Sequence, residues 1–263
     1  MIHGLTNAYL YSAKKVITEW SDGNNTITMR GTGFFVIKDD NHYFITNRHV
    51  VEPGYVDTQY KGFCVKNFII ESFGSFDGDT MPQDLRAATV GNWKDFKFHT
   101  NEYNDIACLK NTLVEGDIFN VNSGIEYEKL ATDEWLSQKL TVCDSIAYPG
   151  FPDWYDHQNN TPIFRMGTIA SDPRFDYSHI PSAPHASRIA YEGFSTGGAS
   201  GSPVFATQRG FTVGGGLTAA DGFYRDVKVV GINAGHFSDQ VGHSGISYMY
   251  KSSAIIELIE SLG

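Results

Sequence analysis

The chain has 263 residues, 41% of them hydrophobic and 19% charged, with 27 Gly, 18 Phe and 14 Tyr. This charge fraction excludes a disordered chain or a coiled coil, and the glycine and aromatic load suits many short strands joined by tight turns. A formal charge of −10 excludes a phosphate-tracking surface, so nucleic acid is not an expected partner.

Strand-like runs dominate along the chain. Residues 26–29 alternate, 33–37 form a short apolar run, and 42–46 follow the turn-like Asp39-Asp40-Asn41, which predicts a hairpin. Further strands are expected over 63–70, 105–109, 140–148, 162–169, 187–191, 204–207, 228–233 and 245–250. A short helix is expected over 132–138, opened by Thr132 or Asp133. A terminal helix is capped by Ser252 or Ser253 and carries Ile255, Leu258, Ile259 and Leu262 on one stripe. Residues 73–85 and 171–184 read as long loops. The polar stretch 111–128 divides the chain into halves, 1–120 and 121–263. The pattern is that of an all-β sandwich or barrel.

Cys64, Cys108 and Cys143 lie far apart among apolar neighbours and form no C-x-x-C. They are expected to be buried structural thiols, in a reducing compartment. No run of eighteen apolar residues and no leader-like start occurs, so the expectation is a cytoplasmic protein without a membrane span.

Three segments carry chemistry. In Ser195-Thr196-Gly197-Gly198-Ala199-Ser200-Gly201-Ser202-Pro203, glycines flank a serine, so the backbone can turn sharply and aim successive N–H groups at one point. Ser202 stands where the α/β-hydrolase elbow needs glycine. Phe44-Ile45-Thr46-Asn47-Arg48-His49 delivers an imidazole at the end of an apolar strand, with the pKa a general base needs. Asp105 opens the apolar run Ile106-Ala107-Cys108-Leu109, where a carboxylate needs water or a partner. The order His49, Asp105, Ser200 is that of chymotrypsin, with the polar boundary falling between Asp105 and Ser200.

On these residues the chain resembles the trypsin-like, chymotrypsin-fold serine peptidases, especially bacterial glutamyl endopeptidases and high-temperature-requirement proteases. Gly31-Thr32-Gly33-Phe34, Thr46-Asn47-Arg48-His49-Val50, Asn104-Asp105-Ile106-Ala107, Tyr148-Pro149-Gly150, Gly198-Ala199-Ser200-Gly201-Ser202-Pro203, Val230-Gly231-Ile232-Asn233 and Gly245-Ile246-Ser247 carry the likeness. It implies two six-stranded antiparallel barrels followed by a C-terminal helix. It implies His49 as base, Asp105 as its orienter, Ser200 as nucleophile, and the N–H groups of Gly198 and Ser200 as an oxyanion hole.

The departures from the family pattern bear on specificity and activation. Ala199 replaces the aspartate that pairs with a freed N-terminus in animal digestive relatives. Asn233 replaces the histidine of glutamyl endopeptidases, and Phe194 aligns near the aspartate of the trypsin pocket. Phe194, Ser195, Asn233, Ala234, Gly235 and Ser244 are therefore expected to wall a neutral pocket. His236, His243 and Asp239 are not read as a metal site, and no cofactor is expected. The expected activity is that of a serine endopeptidase on polypeptide substrates, restrained by a regulatory protein or by substrate ordering of a loop. A catalytically silent, peptide-binding module and an esterase are the competing readings.

Overall fold

Tight turns convert the apolar runs into antiparallel ladders. The computed structural model describes residues 5–75, 80–90, 93–111, 124–210, 224–240 and 242–263. A short helix α1 (Asn7–Tyr11) leads into β1 (Ala13–Ser21), β2 (Thr26–Lys38), β3 (Asn41–Thr46), one-turn α2 (Arg48–Val51), β4 (Cys64–Ser75), β5 (Gln83–Thr89), β6 (Lys97–Phe98), β7 (Ala107–Lys110) and β8 (Ile125–Glu126). The expected β2–β3 hairpin turns at Asp39 and Asp40, whose φ angles of 48° and 63° give the left-handed pair that a two-residue turn needs.

These strands form one sheet in the order β5-β4-β1-β2-β3-β7-β6, with β8 parallel to β2. The first barrel, expected with six strands, is thus an eight-stranded sheet whose path is open among the described residues. It curls so that both ends share one core: Ala88 and Val90 from one end meet Phe96 from the other around Phe44 and Phe68. Of residues 73–85, expected as a loop, 73–75 end β4 and 83–85 begin β5, with Phe73 opposite Leu85 and Ser75 opposite Gln83, while 76–79 lie outside the described residues.

The second half carries α3 (Asp133–Lys139), β9 (Ser145–Gly150), β10 (Ile163–Ile169), β11 (Arg188–Glu192), β12 (Pro203–Ala206), β13 (Lys228–Asp239), β14 (Gly242–Lys251) and α4 (Ser252–Glu260). Its six strands close into a barrel, β10-β11-β14-β13-β12-β9. Thr132 caps α3 by accepting from the Trp135 N–H at 3.2 Å. At α4 the expected serine cap is absent: Lys251 is the N-cap, and the Ser252 hydroxyl donates to the Ala131 carbonyl.

Successive side chains on a strand point to opposite faces, and here both faces are buried. Phe35, Phe44, Ala107 and Leu109 fill the first sheet, while Val204, Ala206, Val230 and Met249 fill the barrel. Their neighbours Phe34, Ile45, Ile106, Phe205, Ile232 and Tyr250 form a third core between the halves, sealed by Ile255, Leu258 and Ile259 of α4. This explains why the strand sequences are continuous apolar runs. Of the cysteines, Cys108 is buried in that third core as expected, but Cys64 and Cys143 are exposed. Flanking apolar residues mark a strand, not which face the thiol takes. No described helix is long and apolar enough to cross a membrane.

Candidate active site

β3 and β7 pair with Thr46 opposite Ala107, so the segments just beyond their paired ends lie together. Asn47 ends the strand, α2 follows, and His49 faces Asp105. The Asp105 carboxylate accepts from the His49 backbone N–H at 2.8 Å and contacts His49 Nδ1 at 2.5 Å. The Asn47 amide donates to the Asp105 carbonyl at 2.7 Å, fixing the loop. At 3% exposure, this carboxylate is stable because its oxygens have donors. Burial disfavours the imidazolium, but the Asp105 charge and hydrogen bond together outweigh it, and the His49 pKa lies above its ordinary 6.5.

Ser200 comes from the other half, on the loop before β12. Gly198 and Gly201 have φ angles of +83° and +92°, and a Cβ at either would overlap a carbonyl oxygen, of Phe151 and Thr32 respectively. Each carbonyl of this turn is held. Thr32 Oγ1 donates to Gly198 O at 2.8 Å, Thr32 N–H to Ser200 O at 2.7 Å, and Asn233 Nδ2 to Ala199 O at 2.7 Å. In a trans peptide the C=O and N–H point opposite ways, so the Ser200 N–H is directed away from the Asn233 amide. Neither the Gly198 nor the Ser200 N–H donates to an acceptor among the described residues.

His49, Gly198 and Ser200 line one cleft of about 470 Å³, shared with Met29 and Arg30 of β2 and with Asp153. The Ser200 hydroxyl does not donate to His49; it donates to the Ala234 carbonyl at 3.2 Å. The structure therefore joins His49 to Asp105 and sets Ser200 across the same cleft.

The residues expected to wall a pocket divide into two groups. Phe194 is 55% exposed and packs on His243 (centroids 4.8 Å apart), which stacks on His236 at 4.2 Å. Asn233 and Ser195, by contrast, lie beneath the nucleophile loop at 0% and 1% exposure. The Asn233 amide donates to Ser195 Oγ at 2.9 Å as well as to Ala199, and its oxygen accepts from the Tyr191 hydroxyl at 2.6 Å. All its side-chain atoms are engaged, so Asn233 is a prop for the turn where a pocket wall was expected. Ala234 presents its carbonyl to Ser200, Gly235 backs onto Tyr248, and the Ser244 hydroxyl closes its own turn by accepting from the Ile246 N–H. Thr32 is the residue that sequence reading left without a role. It stands in the Gly31-Thr32-Gly33 motif, but its bonds cross 166 positions of chain.

Residues 31–214 match the trypsin-like peptidase domain family. The chain belongs to that family, hydrolases of the chymotrypsin fold. In structure it is similar to a variant of the HtrA-type protease AlgW with a tripeptide (TM-score 0.55, 14% identity, 96% of this chain and 60% of that one). It is also similar to AlgW with a decapeptide (TM-score 0.53, 13% identity, 96% of this chain and 64% of that one). A third similar structure is the Rv3671c protease from M. tuberculosis in its active form (TM-score 0.50, 15% identity, 98% and 83%). The chain thus spans under two thirds of the AlgW chains' length. No curated protein sequence matches it.

Proposed function

We propose that this chain is a serine endopeptidase in which Ser200 attacks the substrate carbonyl, His49 takes its proton, and Asp105 orients the imidazole. The observation that carries the reading is the doubly bonded Asp105–His49 contact facing Ser200 across one cleft. For this the Ser200 hydroxyl must leave the Ala234 carbonyl and give its proton to His49 Nε2. Attack then forms the tetrahedral oxyanion, which the Gly198 and Ser200 N–H groups receive. His49 returns the proton to the leaving amine, the acyl-enzyme remains on Ser200, and water attacks it by the same steps in reverse. The substrate is a polypeptide, as in the peptide complexes of the AlgW neighbours. We place the activity in the cytoplasm under a partner or substrate trigger.

A silent peptide-binding module is the second reading, favoured by the Ser200–Ala234 hydrogen bond. Incubation with a fluorophosphonate probe and peptide mapping separates the two. The peptidase reading expects one label, on Ser200, abolished together with peptide cleavage by Ser200→Ala. A label elsewhere, or none, sinks it.

A further inference from the structure

A second cleft, of about 430 Å³, opens on the other side of Asp105, lined by Arg48, Tyr55, Glu102, Asp105, Arg188 and Tyr248 among others. We propose that it is a subsite for an acidic side chain of the polypeptide substrate, with Arg188 as the residue that selects it. This rests on the peptidase reading for its placement within the substrate and on the cleft alone for its chemistry.

Arg188 opens β11, and its guanidinium is fixed by two rings, lying 5.0 Å from the Tyr248 centroid and 5.1 Å from that of Tyr250. Nη2 donates to the Tyr250 hydroxyl at 2.8 Å, whereas Nε is buried with no acceptor. Among the described residues no carboxylate lies within 4.0 Å of this guanidinium. Arg48, the other cation of the cleft, is different: Glu52 holds it at 2.5 Å. Of the two carboxylates that line the cleft, Asp105 gives its oxygens to His49, and Glu102 is exposed at the rim, where water screens it. Arg188 is therefore the cation of this cleft that has no carboxylate partner among the described residues. The Tyr250 hydroxyl accepts from Arg188, and its own proton has no acceptor among the described residues. Burial first, and the Asp105 charge second, raise that hydroxyl's pKa, so it stays a donor. A guanidinium and a neutral phenol side by side fit one carboxylate. Asp105 and Glu102 line the same cleft, and they repel a doubly charged phosphate more than a singly charged carboxylate, so Asp or Glu is the better fit.

The two clefts meet at the His49–Asp105 pair, one carrying Ser200 and the other Arg188. An extended peptide advances about 3.3 Å per residue, so a ten-residue peptide offers side chains over about 30 Å, on both sides of the scissile bond.

The test uses ten-residue peptides carrying Glu or Gln at each position in turn. Cleavage is measured with the wild-type chain, and equilibrium binding with the Ser200→Ala chain. At one position the Glu peptide should exceed its Gln twin by about tenfold in kcat/KM and in affinity, as one charge-assisted contact gives. Arg188→Gln should bring that ratio to about one, Arg188→Lys should keep part of it, and 0.5 M salt should shrink it. Equal cleavage and binding of the twins by the unsubstituted arginine chain overturns the proposal, without any dependence on how the variants fold. A preference that survives Arg188→Gln also overturns it. Selective binding of Glu peptides by a chain that neither cleaves nor takes the fluorophosphonate would overturn the peptidase reading and leave the subsite standing.

Discussion

The Asn233 amide offers the sharpest test of how the site is held. Asn233→Ala removes three hydrogen bonds, to Ser195 Oγ, Ala199 O and the Tyr191 hydroxyl, in a position with 0% exposure. Each such bond contributes about 1 kcal/mol net, so the expected loss is about 3 kcal/mol, with Ala199 O keeping its bond from the Ser202 N–H at 3.2 Å. Against a usual total of about 5–15 kcal/mol the change is large but survivable. Urea unfolding should show a lower midpoint with an unchanged slope. Tyr191→Phe removes one of the three bonds and should cost about 1 kcal/mol. In the double variant that cost should largely vanish, giving a coupling of about 1 kcal/mol. The function should follow, because Ala199 O is what turns the Ser200 N–H toward the cleft: fluorophosphonate labelling of Asn233→Ala should slow at least about tenfold. A stability loss under about 1 kcal/mol would show that the network is idle. A full loss of stability with unchanged labelling would show that it holds the fold and not the turn.

Other expectations follow from the same geometry. Because the base must be neutral and Asp105 raises the His49 pKa, kcat/KM should climb with pH through a midpoint above 6.5; a midpoint below it counts against the pair. By the same linkage, His49 contributes stability that is full below about pH 6.5 and fades as pH rises through the raised value. Asp105→Asn keeps the burial but loses the charge, so that midpoint should fall and the rate should drop by about 10⁴; an unmoved midpoint would separate Asp105 from the base. Gly201→Ala places a Cβ against the Thr32 carbonyl at a φ of +92°, and should cost more than about 2 kcal/mol in urea unfolding. Buried Lys14 has its pKa lowered by desolvation to about 7, so the unfolded chain binds the extra proton above that pH. Stability should therefore rise between pH 7 and 10, and Lys14→Met should flatten the rise.

The hairpin at Asp39–Asp40, α3 and most barrel strands were legible because their signals are local: turn residues, a cap, apolar runs. β1 was not, because Lys14 and Lys15 interrupt its pattern while both are buried. Lys15 is accommodated by Glu71 at 2.8 Å and Lys14 by the Tyr11 carbonyl, partners that no local window reveals. The start of β5, residues 83–85, reads as loop and the rest goes unseen, since all but one of its seven residues are exposed, which leaves no alternation to detect. The segments bearing His49, Asp105 and Ser200 stood out because each needs a particular short string. The positions of Asn233 and Thr32 could not be read in the same way, since the role of each depends on what the fold sets against it.

That difference has a physical consequence for the site. His49 and Asp105 lie just beyond the paired ends of β3 and β7, and the register of Thr46 against Ala107 brings them together. Ser200 belongs to the barrel, and its turn is tied to the first sheet through Thr32, Gly198 and Ser200 and through the core between the halves. The observed bonds follow that division: His49 and Asp105 are bonded within the first half, while the Ser200 hydroxyl is bonded within its own half, to Ala234. The imidazole–carboxylate contact is therefore already made, while the serine hydroxyl is engaged elsewhere. The contact that remains to be made, Ser200 to His49, needs the hydroxyl to leave the Ala234 carbonyl. Thr32 makes the tie between the two halves here: its hydroxyl donates to Gly198 O, its N–H to Ser200 O, and its own carbonyl accepts from Thr46 Oγ1.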